Sequence, residues 1–336
     1  FEPHGLAVSM DGKWIYLPRG AGRDNGRLLI INARTLKLDK IIKTRGRPHH
    51  GKCFTDGAGN ERVVVYGWEQ PPFVMDPADN NRVVGGFSFN ESGMEGYLYF
   101  VTPDGKEMWA SGRWRQGAAA KGVIEGMIFY SVDTATWKLK DYMTFPHETT
   151  PIWIEFSPDN KYAFVTGGHS SSVLRYDRTK TTAENKAAPV ITPTGVVGPY
   201  GVRANWTGST IYAVGKQEGA GNLGIDLGVI DTSRLGEVGY VGENVVTNCL
   251  RGDHGSLHPV FSKQEFWISC NSSFEVIVFD MANKVVKQRI AMPGKASTHS
   301  GAFVQYDSAF VGRTLSDQNG FHGTALAEQL SHWTMP

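Results

Sequence analysis

Ala7-Val8-Ser9-Met10-Asp11-Gly12-Lys13-Trp14-Ile15-Tyr16-Leu17 reads as an apolar strand, a tight polar turn and a second apolar strand. Asp-Gly between two apolar runs is the strongest short-range signature of an antiparallel hairpin. The unit returns along the chain, with turns at Asp56-Gly57, Asp104-Gly105-Lys106, Asp159-Asn160-Lys161, Thr207-Gly208-Ser209, Ser262-Lys263-Gln264 and Tyr306-Asp307-Ser308. The turns begin at positions 11, 56, 104, 159, 207, 262 and 306, and seven units of about 48 residues fill a chain of 336. That spacing is the period of a β-propeller.

Each unit carries a third strand that ends in an acidic or polar turn: Leu28 to Asn32, Phe73 to Asp76, Ile128 to Asp133, Val173 to Asp177, Gly228 to Asp231 and Val276 to Asp280. A fourth follows, as in Lys40 to Lys43 or Val285 to Ile290. The expected fold is all-β, a seven-bladed β-propeller of four-stranded antiparallel blades forming one domain over residues 1–336. A β-sandwich has no need of so regular a count. Forty glycines in 336 residues exceed the usual ~7 per cent and suit many tight turns. The last blade reads as incomplete, because residues 315–336 contain no convincing pair of strands and are expected to be irregular. Its missing strands then come from the tail, from residues removed before Phe1, or from a partner chain.

Lys plus Arg number 34 against 33 Asp plus Glu, so no global field draws in nucleic acid or an anionic membrane. The apolar runs, such as Leu28 to Ile31, are too short to cross a membrane as a helix. The start at Phe1, with no initiator Met or leader, reads as a processed form. Cys53, Cys249 and Cys270 contain no CxxCH, which rules out covalently attached c-type haem. Cys249 and Cys270 either bridge or, with Cys53, remain buried thiols. There is no GxSxG, GxxxxGK[ST] or HExxH. Gly219-Ala220-Gly221-Asn222-Leu223-Gly224 matches GxGxxG in letters but lacks the helix that motif requires.

In a propeller, the loops entering each inner strand and those joining second to third strands open on one face. His4, His49, His50, His147, His254, His258 and His299 fall at inner-strand entries, and His169 in a second-to-third-strand loop, whereas His322 and His332 are in the tail. Glu91, Glu95, Glu148 and Tyr200 are placed on the same face. Converging neutral imidazoles with nearby carboxylates suit copper, iron or zinc; individually, such histidines also serve to satisfy backbone groups. Two long loops, 112–122 and 216–226, are placed at this face as docking or gating elements.

Tyr66-Gly67-Trp68-Glu69-Gln70-Pro71-Pro72-Phe73-Val74-Met75-Asp76 and Leu257-His258-Pro259-Val260-Phe261 to Phe266-Trp267-Ile268-Ser269 resemble segments of the propellers that hold haem d1 in cytochrome cd1 nitrite reductases. The wider class includes the copper propellers of nitrous oxide reductase and thiocyanate dehydrogenase. In this resemblance His258 stands at a haem-side histidine, and Tyr200 stands where a further histidine belongs. The eroded ligand set is similar to that of a cofactor-free branch, the propeller (β) subunits of hydrazine synthases from anammox bacteria. That likeness implies a non-catalytic subunit of an exported oxidoreductase complex of nitrogen metabolism, in the periplasm or anammoxosome lumen. Its implied role is to position partners that carry c-type haem, with no cofactor in this chain and no nucleic-acid or membrane partner. The implied parent reaction is hydrazine formation from nitric oxide and ammonia. Channel walling or gating is expected from the loop at 216–226 or 245–258, with Glu218, Asp226, Asp253 and His254. The alternative is a copper- or haem-d1-dependent oxidoreductase with His4, His49, His50, His258 and His299 as ligands and Glu95 as base or further ligand.

Overall fold

The same local chemistry turns the chain in blade after blade. Ser9, Thr102 and Ser157 each donate a hydroxyl hydrogen bond to the aspartate two residues on, at 2.6 Å. Each hydroxyl also accepts the backbone N–H five residues on, from Trp14, Glu107 or Tyr162. The residue after the aspartate, Gly12, Gly105 or Asn160, sits at φ of 66°, 70° or 64°, the left-handed region open to Gly and Asn. A second device ends the third strands: the side chains of Asn32, Asp76, Asp133, Asp177, Asp231 and Asp280 each accept a backbone N–H two residues ahead.

The computed structural model describes residues 5–19, 26–44, 46–68, 70–86, 94–114, 125–146, 151–216 and 226–335. They form seven antiparallel sheets, six of four strands and one of three. Blade one pairs Ala7–Val8, Trp14–Arg19, Arg27–Asn32 and Leu38–Lys43; blade two pairs Arg47–Thr55, Glu61–Trp68, Gln70–Asp76 and Arg82–Gly86. The inner strands of blades three to six are Met94–Val101, Pro151–Phe156, Pro199–Ala204 and Gly252–Leu257. Neighbouring inner strands pack together around the ring, and the apolar faces between blades form the core. A six-residue helix, α1 (Thr182–Ala187), enters the fourth strand of blade four through a capping box between Thr181 and Glu184.

Blade seven departs from the pattern. Its strands run in the order Phe303–Tyr306, Gly312–Asp317, Gly320–Phe321. The segment His299 to Tyr306, read from the sequence as the inner strand, is partly exposed; the more buried Gly312–Asp317 lies against the inner strand of blade six. Gly312–Asp317 also joins blade one: Thr314 donates its backbone N–H to Met10 and its hydroxyl to Ser9, at 2.9 and 2.7 Å.

The tail is not irregular as expected. After Gly320–Phe321 it forms helix α2 (Gly323–His332), which lies over the inner-strand hairpins of blades five and six. Phe321 packs on Trp206 at 4.3 Å between ring centroids, His332 stacks on Phe261 at 3.8 Å, and Thr334 donates to the carbonyl of Thr207. Aromatic burial, a tertiary effect, fixes the helix that follows the paired Gly320–Phe321 strand. Of the two cysteine readings, the bridge is the one observed: Cys249 and Cys270 form a disulfide, and Cys53 is a buried thiol.

Candidate functional site: a column of buried polar side chains in the central channel

Side chains of an inner strand alternate between channel and blade interior. That alternation places His50 with Lys52 in blade two, Trp153 with Glu155 in blade four and Gly201 with Arg203 in blade five. Gly201 permits the inner strands of blades five and six to approach, since a Cβ there would meet His254 Cβ at 2.6 Å and its Cα at 2.7 Å.

The upper layer, at the mouth, is built around Asp253. This fully buried carboxylate accepts from His299 Nδ1 and from Asn271 at 2.8 Å, and faces Lys216 Nζ at 3.3 Å. Burial alone would raise the Asp253 carboxyl, but Lys216 together with His299 and His254 holds it well below the usual carboxylate range. Lys216 caps the Tyr200 ring at 3.5 Å. Burial pushes the His254 imidazole down to about 3, and His49 likewise, so both are neutral near pH 7. His49 and His50 hydrogen-bond through their Nδ1 atoms at 2.6 Å, and His50 stacks on Tyr66.

The lower layer is ionic. Arg203, 2 % exposed, pairs with Glu155, donates to the carbonyls of Gly255 and Asp317, and so ties together blades four, five, six and seven. Burial raises the Glu155 carboxyl to about 7 against the pull of Arg203 and Lys52. Asp317 pairs with His322 at 2.9 Å; its carboxyl lies low because that histidine, the Asn319 N–H and Lys52 outweigh burial. Below this layer a cavity of about 310 Å³ is lined by Glu155, Thr102, Arg313, His322 and Gln329.

Between the layers stands Lys52, 1 % exposed, with Nζ 3.7 Å from the centre of the Phe100 ring and 5.2 Å from that of Trp153. Burial drives its ammonium well below the ordinary lysine value, with Arg203 acting in the same sense and the Asp317 and Glu155 carboxylates opposing.

The structure gathers His49, His50, His254 and His299 at one mouth. It does not bring His258 there: that residue lies past the far end of Gly252–Leu257, beside Phe303, with Nδ1 accepting from the Val260 N–H. The strand begins at Gly252, so His254 and His258 are about 13 Å apart along it, at opposite ends of the channel. Asp253 and His254 belong to this fully buried strand and not to a loop; the free part of the 245–258 segment is stapled by the disulfide and by Thr247 N–H donating to Asp226 at 3.2 Å. His169 is exposed in its loop. His4, Glu91, His147, Glu148 and Glu218 lie outside the described residues, as do the loops 115–124 and 217–225. Glu95 is described only as a backbone position opposite Arg113. Among the described residues, no three His, Cys, Asp or Glu side chains are grouped to hold one metal ion. His258, at the opposite end, does not join His49, His50 and His299 at one copper or haem site, and the side chains of His4 and Glu95 lie outside the described residues.

Sequence reasoning missed Lys52, Trp153, Glu155, Arg203, Asp317 and the pairing role of Lys216. The signal was present in part: Gly51-Lys52-Cys53-Phe54, Ile154-Glu155-Phe156 and Val202-Arg203-Ala204 each place one ionisable residue inside an apolar inner strand, and such residues are seldom buried without a partner.

No protein-family model matches the chain, and no curated protein is recognisably similar to it in sequence. Solved structures match in fold, and the class they define is the seven-bladed β-propeller. Hydrazine synthase of Kuenenia stuttgartiensis superposes with a TM-score of 0.61 at 15% identity over 86% of each chain. The dihydro-haem d1 dehydrogenase NirN gives 0.59 at 14% identity, covering 98% of this chain and 70% of that one. Catalytically inactive virginiamycin B lyase of Staphylococcus aureus, bound to quinupristin, gives 0.61 at 12% identity over 94% of each. The chain is thus a propeller of the architecture found in the first two, as the quoted segments led us to expect.

Proposed function

We propose that this chain is a non-catalytic propeller subunit of an exported, multi-subunit redox complex of nitrogen metabolism, of the hydrazine synthase kind. In this reading it positions partner chains bearing c-type haem, walls the passage of a reactive intermediate, and holds no cofactor of its own. The seventh blade carries the proposal. Phe303–Tyr306 is an edge strand with no fourth strand beside it among the described residues, and the adjoining turn exposes Phe310 and Val311. A partly apolar open edge is a template for strand addition by another chain. The disulfide is consistent with an oxidising compartment, and no helix among the described residues is long and apolar enough to cross a membrane. Holding two partners against one rigid ring supplies proximity, which needs no ligand from this chain.

The test is purification from the native source followed by metal analysis and a visible spectrum. Co-elution with c-type haem proteins in fixed ratio, with no stoichiometric copper or iron on the separated chain, is the expected result. A lone chain carrying its own stoichiometric metal overturns the proposal in favour of an oxidoreductase.

A further inference from the structure

Three side chains that pack on one another in the channel each carry a buried polar atom without a hydrogen bond. Trp153 Nε1, Lys52 Nζ and His254 Nε2 are all buried, and no group among the described residues forms a hydrogen bond with any of them, the Asp253 carboxylate standing 4.0 Å from His254 Nε2. The side chains are neighbours: the Trp153 ring centre lies 4.4 Å from that of His254 and 5.2 Å from Lys52 Nζ. The large majority of buried polar groups in native proteins have a hydrogen-bond partner, and each one left without a partner is costly. Three such atoms on neighbouring side chains point to an occupant.

Their chemistry specifies it. The indole N–H is a donor only, an ammonium offers donors only, and the His254 Nε2 donates in one tautomer. The other buried charges already have partners: Lys216 with Asp253, Arg203 with Glu155, and His322 with Asp317. Lys52 is the remaining buried cation of the column, and it rests against the faces of two aromatic rings instead of a carboxylate. We propose that this part of the channel binds one small monovalent anion, held by Lys52, Trp153 and His254. Binding restores a full charge to Lys52 and pairs it, which completes the column of ion pairs. The proposal concerns the interior of this chain and stands whether or not partner chains assemble on blade seven.

Azide is a suitable probe, because its infrared stretch reports its surroundings. Titrated into the full chain at constant ionic strength, it is expected to bind saturably, one per chain, and to raise the thermal midpoint in step with occupancy. Lys52→Met is expected to abolish binding while leaving the anion-free protein at least as stable, since an apolar side chain then replaces a buried amine. Trp153→Phe keeps most of the ring and removes only the N–H; it is expected to weaken binding about ten- to a hundredfold. The exposed-lysine variant Lys180→Ala is expected to bind as the parent does. Absence of saturable binding in the parent chain, or unchanged affinity in both Lys52→Met and Trp153→Phe, overturns the proposal.

Discussion

Arg203→Met tests whether the lower layer clamps the ring. The guanidinium is 2 % exposed and bonds Glu155, Gly255 and Asp317 from three other blades. Breaking a buried ion pair by removing one partner costs about 3–5 kcal/mol, and methionine fills similar volume without replacing the bonds. The loss carries a pH signature. The Glu155 carboxyl is at about 7 in the folded chain against 4.5 as its reference. Between those values the folded state holds the extra proton, so stability falls as pH rises through this window. Without Arg203, a main opposing influence, the carboxyl climbs further and the fall continues to higher pH. At about 1.4 kcal/mol per unit, the variant should lose about 1 kcal/mol more at pH 8 than at pH 5.5. Urea unfolding followed by tryptophan fluorescence at the two pH values measures both numbers. The double variant Arg203→Met with Glu155→Gln should show no such pH difference. A cost below about 1 kcal/mol, well short of the buried-pair range, or one equal at both pH values, refutes the clamp.

Cys249→Ser opens a loop with a sequence separation of 21 residues and should cost about 3 kcal/mol, read as a lower urea midpoint; an unchanged midpoint would show that the staple contributes nothing. Gly201→Ala places a methyl group 2.6 Å from His254 Cβ and 2.7 Å from its Cα, and overpacking of this kind costs about 1–3 kcal/mol, measurable as a lower thermal midpoint.

The blade count was legible because turn chemistry is local. A hydroxyl, an aspartate and a left-handed Gly or Asn within five residues form the hairpin wherever they occur, as Ser9, Asp11 and Gly12 do. The order of strands in blade seven was not legible, because Phe303–Tyr306 and Gly312–Asp317 are alike as strands and only contact with blades six and one decides which lies deeper. The tail helix escaped notice for the same reason: it is held by Trp206 and Phe261, distant in sequence. At the site, His49 and His50 were legible near the start of an inner strand. Asp253 and His254 were mistaken for loop residues because Gly252-Asp253-His254-Gly255-Ser256 is polar and glycine-rich, composition that here serves close strand approach in a buried setting. Misplacing that strand's start also carried His258 to the wrong end. Lys52 went unread because a lone lysine in an apolar strand declares its burial only once Phe100 and Trp153 are seen against it.

The central functional claim, that this ring is one part of a larger redox assembly, is tested most directly by native mass measurement of the intact particle from its source. The account predicts a mass well above the 36.9 kDa of this chain, falling to that of the chain and of haem-bearing partners on dissociation. A particle that stays at the mass of one chain, or of copies of this chain alone, contradicts it.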